Sequence, residues 1–153
     1  MIRPALLDLR LHSPAAERLL LGTALTESGL SALAQDGVGP ALGVYQIEPA
    51  THQDVWRNYL AFRPALAWRV GRFAGKAPRR QAQLITNLSY ATVVARLIYR
   101  RRPEPLPGPG DLGGLAAYWK AHFNTTAGRG GVEDFMARAA PTLRALYPRE
   151  QKT

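Results

Sequence analysis

Residues 78–101 carry the longest regular pattern in the chain, with Leu84, Leu88, Ala91, Ala95 and Ile98 recurring every three or four positions. That is the period of an α-helix with one apolar face. A helix of this length holds its apolar face only against other elements, so the pattern predicts a core helix with the rest of the chain packed around it. It is stopped by RPEPLPGPGDLGG, whose four Pro and four Gly cannot continue a helix and predict an extended surface loop over residues 103–110.

The flanking segments are also helical in pattern. Ser13 suits a helix cap, Pro14 the first helical position and Glu17 the first turn, and this helix is expected to end at Gly29. Residues 31–44, with Gly37, Gly39, Pro40 and Gly43, have no helical period and predict a loop or short irregular hairpin. Pro49 opens a second helix with Val55, Tyr59 and Trp56 on its apolar side, and a short helix is expected around residues 65–70. A helix over 112–123 follows, then a Gly-rich turn, then a helix led by Val132, Phe135, Met136 and Ala139 that Pro141 should kink or break. Residues 1–12 are expected to be an N-terminal extension. The fold class is therefore mainly α, one domain over residues 1–153, with a minimal β element around residues 36–47.

Composition removes several functions. There is no Cys, which excludes disulfides, zinc ribbons and thiol catalysis. No apolar run reaches the roughly 18 residues of a membrane span. Asp8 and Arg10 interrupt the opening apolar stretch, so no secretory signal is expected. The net charge of +9, from 20 Lys and Arg against 11 Asp and Glu, implies an acidic partner without choosing one. The run from Gly71 to Ala77 has three residues between its glycines where a phosphate loop needs four. His12, His52 and His122 are dispersed, so neither metal nor cofactor is implied. Arg79, Arg80 and Arg100 to Arg102 suit solvated helix ends, and Trp56, Trp68 and Trp119 suit core anchors; no specific nucleic acid is expected.

One carboxylate stands out. Glu27 lies one turn after Thr23 and Ala24 on the stripe that Leu20 begins, which aims it at the edge of the core. Apolar neighbours disfavour its charged form and raise its pKa toward the range of a general acid at neutral pH. On spacing alone the plainer reading, a surface glutamate in a last helical turn, is favoured by about two to one.

The segment GPALGVYQIEPATHQDVW, taken with Glu27-Ser28, resembles the lytic transglycosylase branch of the lysozyme-like superfamily. That family has a Glu-Ser pair at a helix end, then Gly-Leu-Met-Gln-Ile-Met-Pro-Ala-Thr opening the next helix. Here Glu27-Ser28 matches the pair, and Gly43, Gln46, Ile47, Pro49, Ala50 and Thr51 match the second motif, with Val44, Tyr45 and Glu48 as departures. Of the family's Ala-Tyr-Asn segment, Ala117 and Tyr118 are kept while Trp119 replaces Asn; Asn124 is the substitute polar group. The family's late tyrosine position holds Phe135, with Tyr147 further on. Before Gly43 the family's Ser and Gly are Gly37 and Pro40, with Ala41 retained.

The resemblance implies a lysozyme-like fold and cleavage of the β-1,4 bond between N-acetylmuramic acid and N-acetylglucosamine in peptidoglycan, with Glu27 as acid and then base. Ser28, Gly43, Tyr45, Gln46, Tyr118 and Asn124 are the expected substrate-binding residues; core roles suit the two tyrosines equally well, while Gln46 is expected to bond a sugar amide or orient Glu27, with a loop-backbone role as the alternative. A muramidase would need a second carboxylate on the opposite face. Asp36 is the candidate, with Glu48 and Asp54 behind it. A virion protein keeping the fold without turnover, and a nucleic-acid module built on the arginine clusters, remain alternatives. The expected setting is a phage particle, beside other virion proteins, or the host cytoplasm before release, acting on glycan strands of the periplasmic wall.

Overall fold

A computed structural model describes residues 1–31, 40–76, 79–124 and 130–148. The fold is mainly helical. Helix α1 (Ile2–Leu9) is followed by α2 (Pro14–Ser28), α3 (Pro49–Asp54), α4 (Pro64–Phe73), α5 (Gln83–Thr86), α6 (Leu88–Arg100), α7 (Leu112–Trp119), α8 (Val132–Arg138) and α9 (Ala140–Leu146). Two of them run on into wide π-turns, α3 into Val55–Tyr59 and α7 into Lys120–Asn124.

Helix α6 is the centre. Every residue from Tyr90 to Tyr99 is buried, including Thr92 and Arg96, because α1, α2, α4 and α5 pack around it. Arg96 is tolerated there because its Nε donates to the Leu11 carbonyl at 3.1 Å, which spares a buried cation from going unpaired.

The pattern over residues 78–101 does not form one helix. Asn87 divides it: its Oδ1 accepts from the Tyr90 N–H at 3.0 Å as the cap of α6, and its Nδ2 donates to the Phe73 carbonyl at 2.8 Å. One side chain thus starts α6 and ties it to the end of α4. Leu88, expected on the core face, sits at the first turn and is exposed.

Residues 1–12 are not an extension. Ala5, Leu6 and Leu9 form a buried stripe in α1 that packs on α6, and Arg10 ends the helix at φ 60°. This end is fastened by Glu17, which accepts from Arg3 Nε at 2.8 Å and from the Tyr147 hydroxyl at 2.9 Å, and meets His12 Nε2 at 2.9 Å. Burial works to raise the Glu17 pKa, but hydrogen bonds from Arg3, His12 and Tyr147 outweigh it and hold the carboxyl at about 2.

Helix α2 starts and stops as its sequence predicts. The Ala16 N–H donates to Ser13 Oγ at 3.1 Å, and Gly29 closes the helix at φ 60°. Pro141 breaks the last helical segment into α8 and α9. The expected β element is reduced, among the described residues, to one antiparallel bridge between Leu42 and Ile47. Residues 103–110 form the surface loop. Of the three tryptophans, Trp119 is a core anchor, Trp56 is half-buried, and Trp68 is out of the core at 67% exposure, since it lies on the side of α4 opposite Val70.

Candidate active site

Glu27 occupies the last turn of α2, where the carbonyl end of the helix dipole already disfavours a negative charge. Facing it is the junction of α7 with its π-turn. The Trp119 indole N–H donates to Glu27 Oε1 at 2.9 Å, and the Asn124 side chain hydrogen-bonds the same carboxyl. A π-turn, with its i→i+5 bonding, brings residues five apart to one side of the helix, and so turns Trp119 and Asn124 together. Lys120 Nζ donates to Asn124 Oδ1 at 2.8 Å and steadies that amide.

Two cations complete the surroundings. Arg138 on α8 donates to the Thr26 carbonyl at 3.1 Å, and both it and Lys120 act on Glu27 through their charge. Burial nevertheless decides the balance: it pushes the Glu27 pKa above the ordinary carboxylate value, against the Trp119 and Asn124 hydrogen bonds and the two positive charges. The result is a half-buried carboxyl, held by fixed donors and biased toward its protonated form.

The second motif shapes the wall beside Glu27. Leu42 and Ile47 exchange both backbone hydrogen bonds at 3.0 Å, enclosing a tight turn with Gly43 at φ 71° and Gln46 at φ 47°. A Cβ on Gly43 would lie 1.9 Å from the Leu84 carbonyl oxygen, so only glycine lets this turn rest on α5. Ser28 Oγ donates to the Val44 carbonyl at 2.8 Å and accepts from the Leu30 N–H at 3.2 Å, which stitches the end of α2 to the turn.

The expected binding residues divide accordingly. Glu27 and Asn124 come together, with Ser28 adjacent as a stitch. Tyr45 does not line a groove: it is fully buried, with its hydroxyl 3.0 Å from Thr92 Oγ1 and its pKa pushed up to about 12 by burial. The Gln46 amide donates to the Gly43 carbonyl at 2.9 Å, a loop-backbone role. Tyr118 is buried between Tyr99 and His122, and its hydroxyl donates to the Glu104 carbonyl at 2.9 Å. Asp36 lies outside the described residues. Asp54 is paired with Arg101 and Asn58, and Glu48 is exposed ahead of α3. Phe135 packs on Trp119 with ring centroids 5.8 Å apart, while Tyr147 serves Glu17.

Sequence reasoning missed Trp119 as a partner of the carboxylate; the replacement of Asn by an N–H donor in the third motif was the available signal. It also missed an open cavity of about 590 Å³ lined by His52, Trp56, Arg57, Arg79 and Arg80, among others. Among the described residues no carboxylate lines it. No family model, curated protein or solved structure matches this chain.

Proposed function

We propose that the protein cleaves peptidoglycan glycan strands as a lytic transglycosylase, with Glu27 as the single acid and base. The observation that carries this reading is the Glu27 carboxyl itself, raised in pKa by burial and oriented by Trp119 and Asn124. A proton donor of this kind is what departure of a glycosidic oxygen requires.

In this mechanism protonated Glu27 gives its proton to the oxygen bridging N-acetylmuramic acid and N-acetylglucosamine as the C1–O bond breaks. The C6 hydroxyl of the muramic residue attacks C1, forming the 1,6-anhydro ring, and its proton passes to the Glu27 carboxylate. Water is not consumed, and the enzyme returns to its starting protonation state. The order of the Glu27-Ser28 pair and the turn from Gly43 to Thr51 supports the same reading, as does a net charge of +9 opposite a polyanionic wall. A virion or lysis setting fits that substrate.

The test is mass spectrometry of purified peptidoglycan after incubation with the wild-type protein and with Glu27→Gln. The expected result is anhydro-muropeptides from the wild type and none from the variant. Reducing-end products would move the assignment to a muramidase and make Asp36 the residue to change next. Absence of any products from folded wild-type protein would overturn the enzymatic reading in favour of a structural one.

A further inference from the structure

The net charge of this protein is not spread over the chain. Residues 55–103 hold 11 of the 20 Lys and Arg and not one Asp or Glu, so the remainder, with 11 acids against nine cations, is slightly acidic. Helix α4 and the turn before it lie within the acid-free stretch. The inward side of α4 carries Leu66, Val70 and Phe73 against the core. The exposed side, shared by α4 and the turn before it, carries Ala61, Phe62, Arg63, Pro64, Ala65, Trp68 and Arg72.

That exposed side is the reverse of an ordinary solvated face, which would be rich in Lys, Glu and polar amides. Phe62 is 76% exposed and Trp68 is 67% exposed. Arginines flank them: the Arg63 guanidinium lies 4.0 Å from the Tyr59 ring centroid, and that of Arg72 lies 5.3 Å from Trp68. Of the elements packed on α4, α6 and the turn over Leu60–Phe62 carry no acid, and α1 carries Asp8.

We propose that this face docks on an anionic lipid surface, with Phe62 and Trp68 entering the headgroup boundary and Arg63, Arg69 and Arg72 pairing with lipid phosphates. Trp and Phe are the side chains that gain most at that boundary, and arginine stems lie along apolar surface while their heads reach phosphate. Charge complementarity selects an anionic partner. A lipid is favoured over a nucleic acid because the exposed positions between the arginines are all apolar, with no polar amide or hydroxyl over residues 61–72, a composition that suits the headgroup–acyl boundary. Docking of this kind is peripheral: no helix among the described residues is long and apolar enough to cross a membrane.

The experiment is co-sedimentation of the full chain with vesicles of phosphatidylglycerol and phosphatidylcholine in equal parts, and with phosphatidylcholine alone. Binding to the first and not the second is expected. Phe62→Ser and Trp68→Ser should each weaken it by roughly tenfold, with unchanged thermal midpoints because both side chains are exposed. Trp68→Phe should keep binding but lose the blue shift of tryptophan emission on vesicles. Glu27→Gln should bind as wild type does, which separates this surface from the proposed catalytic site. The proposal is overturned if folded protein ignores anionic vesicles, if both serine variants bind undiminished, or if a single-stranded oligonucleotide binds more tightly through the same two residues.

Discussion

The indole N–H of Trp119 reaches Glu27 Oε1 across 2.9 Å, joining residues 92 positions apart. Trp119 is itself 1% exposed, so the donor is fixed by packing before any ligand arrives. A preset donor of this kind holds a carboxyl in one orientation and stabilises its charged form after proton transfer.

Replacing Trp119 by Phe removes that donor and keeps most of the ring. The Glu27 pKa should then rise further, because a hydrogen bond that favours the carboxylate is lost while burial remains. The alkaline limb of the pH–activity profile should move up, with kcat reduced by roughly tenfold or more as orientation is lost. Loss of ring volume should cost about 1–2 kcal/mol in stability. An alkaline limb that stays where it is would separate Trp119 from the titrating group.

Glu27 should also leave a signature in stability. Its folded-state pKa is raised, so its protonated form is the favoured one in the fold, and its contribution is lost as pH climbs through that value. Glu27→Gln should therefore be more heat-stable than wild type at pH 8, with the difference shrinking as pH falls toward 4. Thermal scans across that range measure it, and a variant less stable at pH 8 would contradict the assigned direction.

Glu17 titrates in the opposite sense. Its carboxyl is held at about 2 in the fold, so its contribution is fully present above the ordinary carboxylate value of about 4.3 and is lost as pH falls toward 2. The shift corresponds to about 2 kcal/mol at neutral pH once screening of the exposed Arg3 guanidinium is allowed for. Glu17→Gln should lower Tm by roughly 4–8 °C at pH 7, and by little near pH 2. A difference that did not close in acid would mean the clamp acts by shape rather than charge.

Gly43→Ala tests the turn beside the site. Its φ of 71° and the Leu84 carbonyl oxygen, 1.9 Å from where a Cβ would stand, both oppose a side chain. The loss should be at least about 3 kcal/mol, read from denaturant midpoints, and glycan cleavage should fall with it. A loss under about 1 kcal/mol would show that the turn can lift off α5 freely.

Ser28→Ala should cost about 1 kcal/mol, because the Val44 carbonyl loses its partner. As a stitch rather than a sugar ligand, Ser28 should leave KM for glycan strands nearly unchanged when assayed well below the variant's Tm. A KM raised tenfold at full folding would return Ser28 to the substrate-binding set.

Much of the helical framework is legible in the sequence because its determinants are local. Ser13, Pro14 and Gly29 bound α2 by capping and backbone preference, the Pro/Gly run ends α6 into a loop, and Pro141 divides α8 from α9. These effects act within a few residues and need no distant partner. Where the deciding contact is distant, the sequence is silent or misleading. Asn87 splits the long periodic segment partly through the Phe73 carbonyl. The α1 stripe is short enough to pass for an extension until α6 lies against it, and Tyr45 faces inward because Gly43 and Gln46 turn the chain over α5.

The sequence by itself determined a mainly helical chain without cysteine, a carboxylate on the apolar edge of α2, and a concentration of positive charge with no acid between residues 55 and 103. Tertiary structure alone decided what surrounds that carboxylate. Trp119, Asn124 and Arg138 reach Glu27 from α7, its π-turn and α8, and the burial that raises its pKa is supplied by elements about 90–110 positions away in the chain. Capping and periodicity are properties of neighbouring residues, whereas desolvation is a property of the space around a group, and that space exists only once the helices have packed.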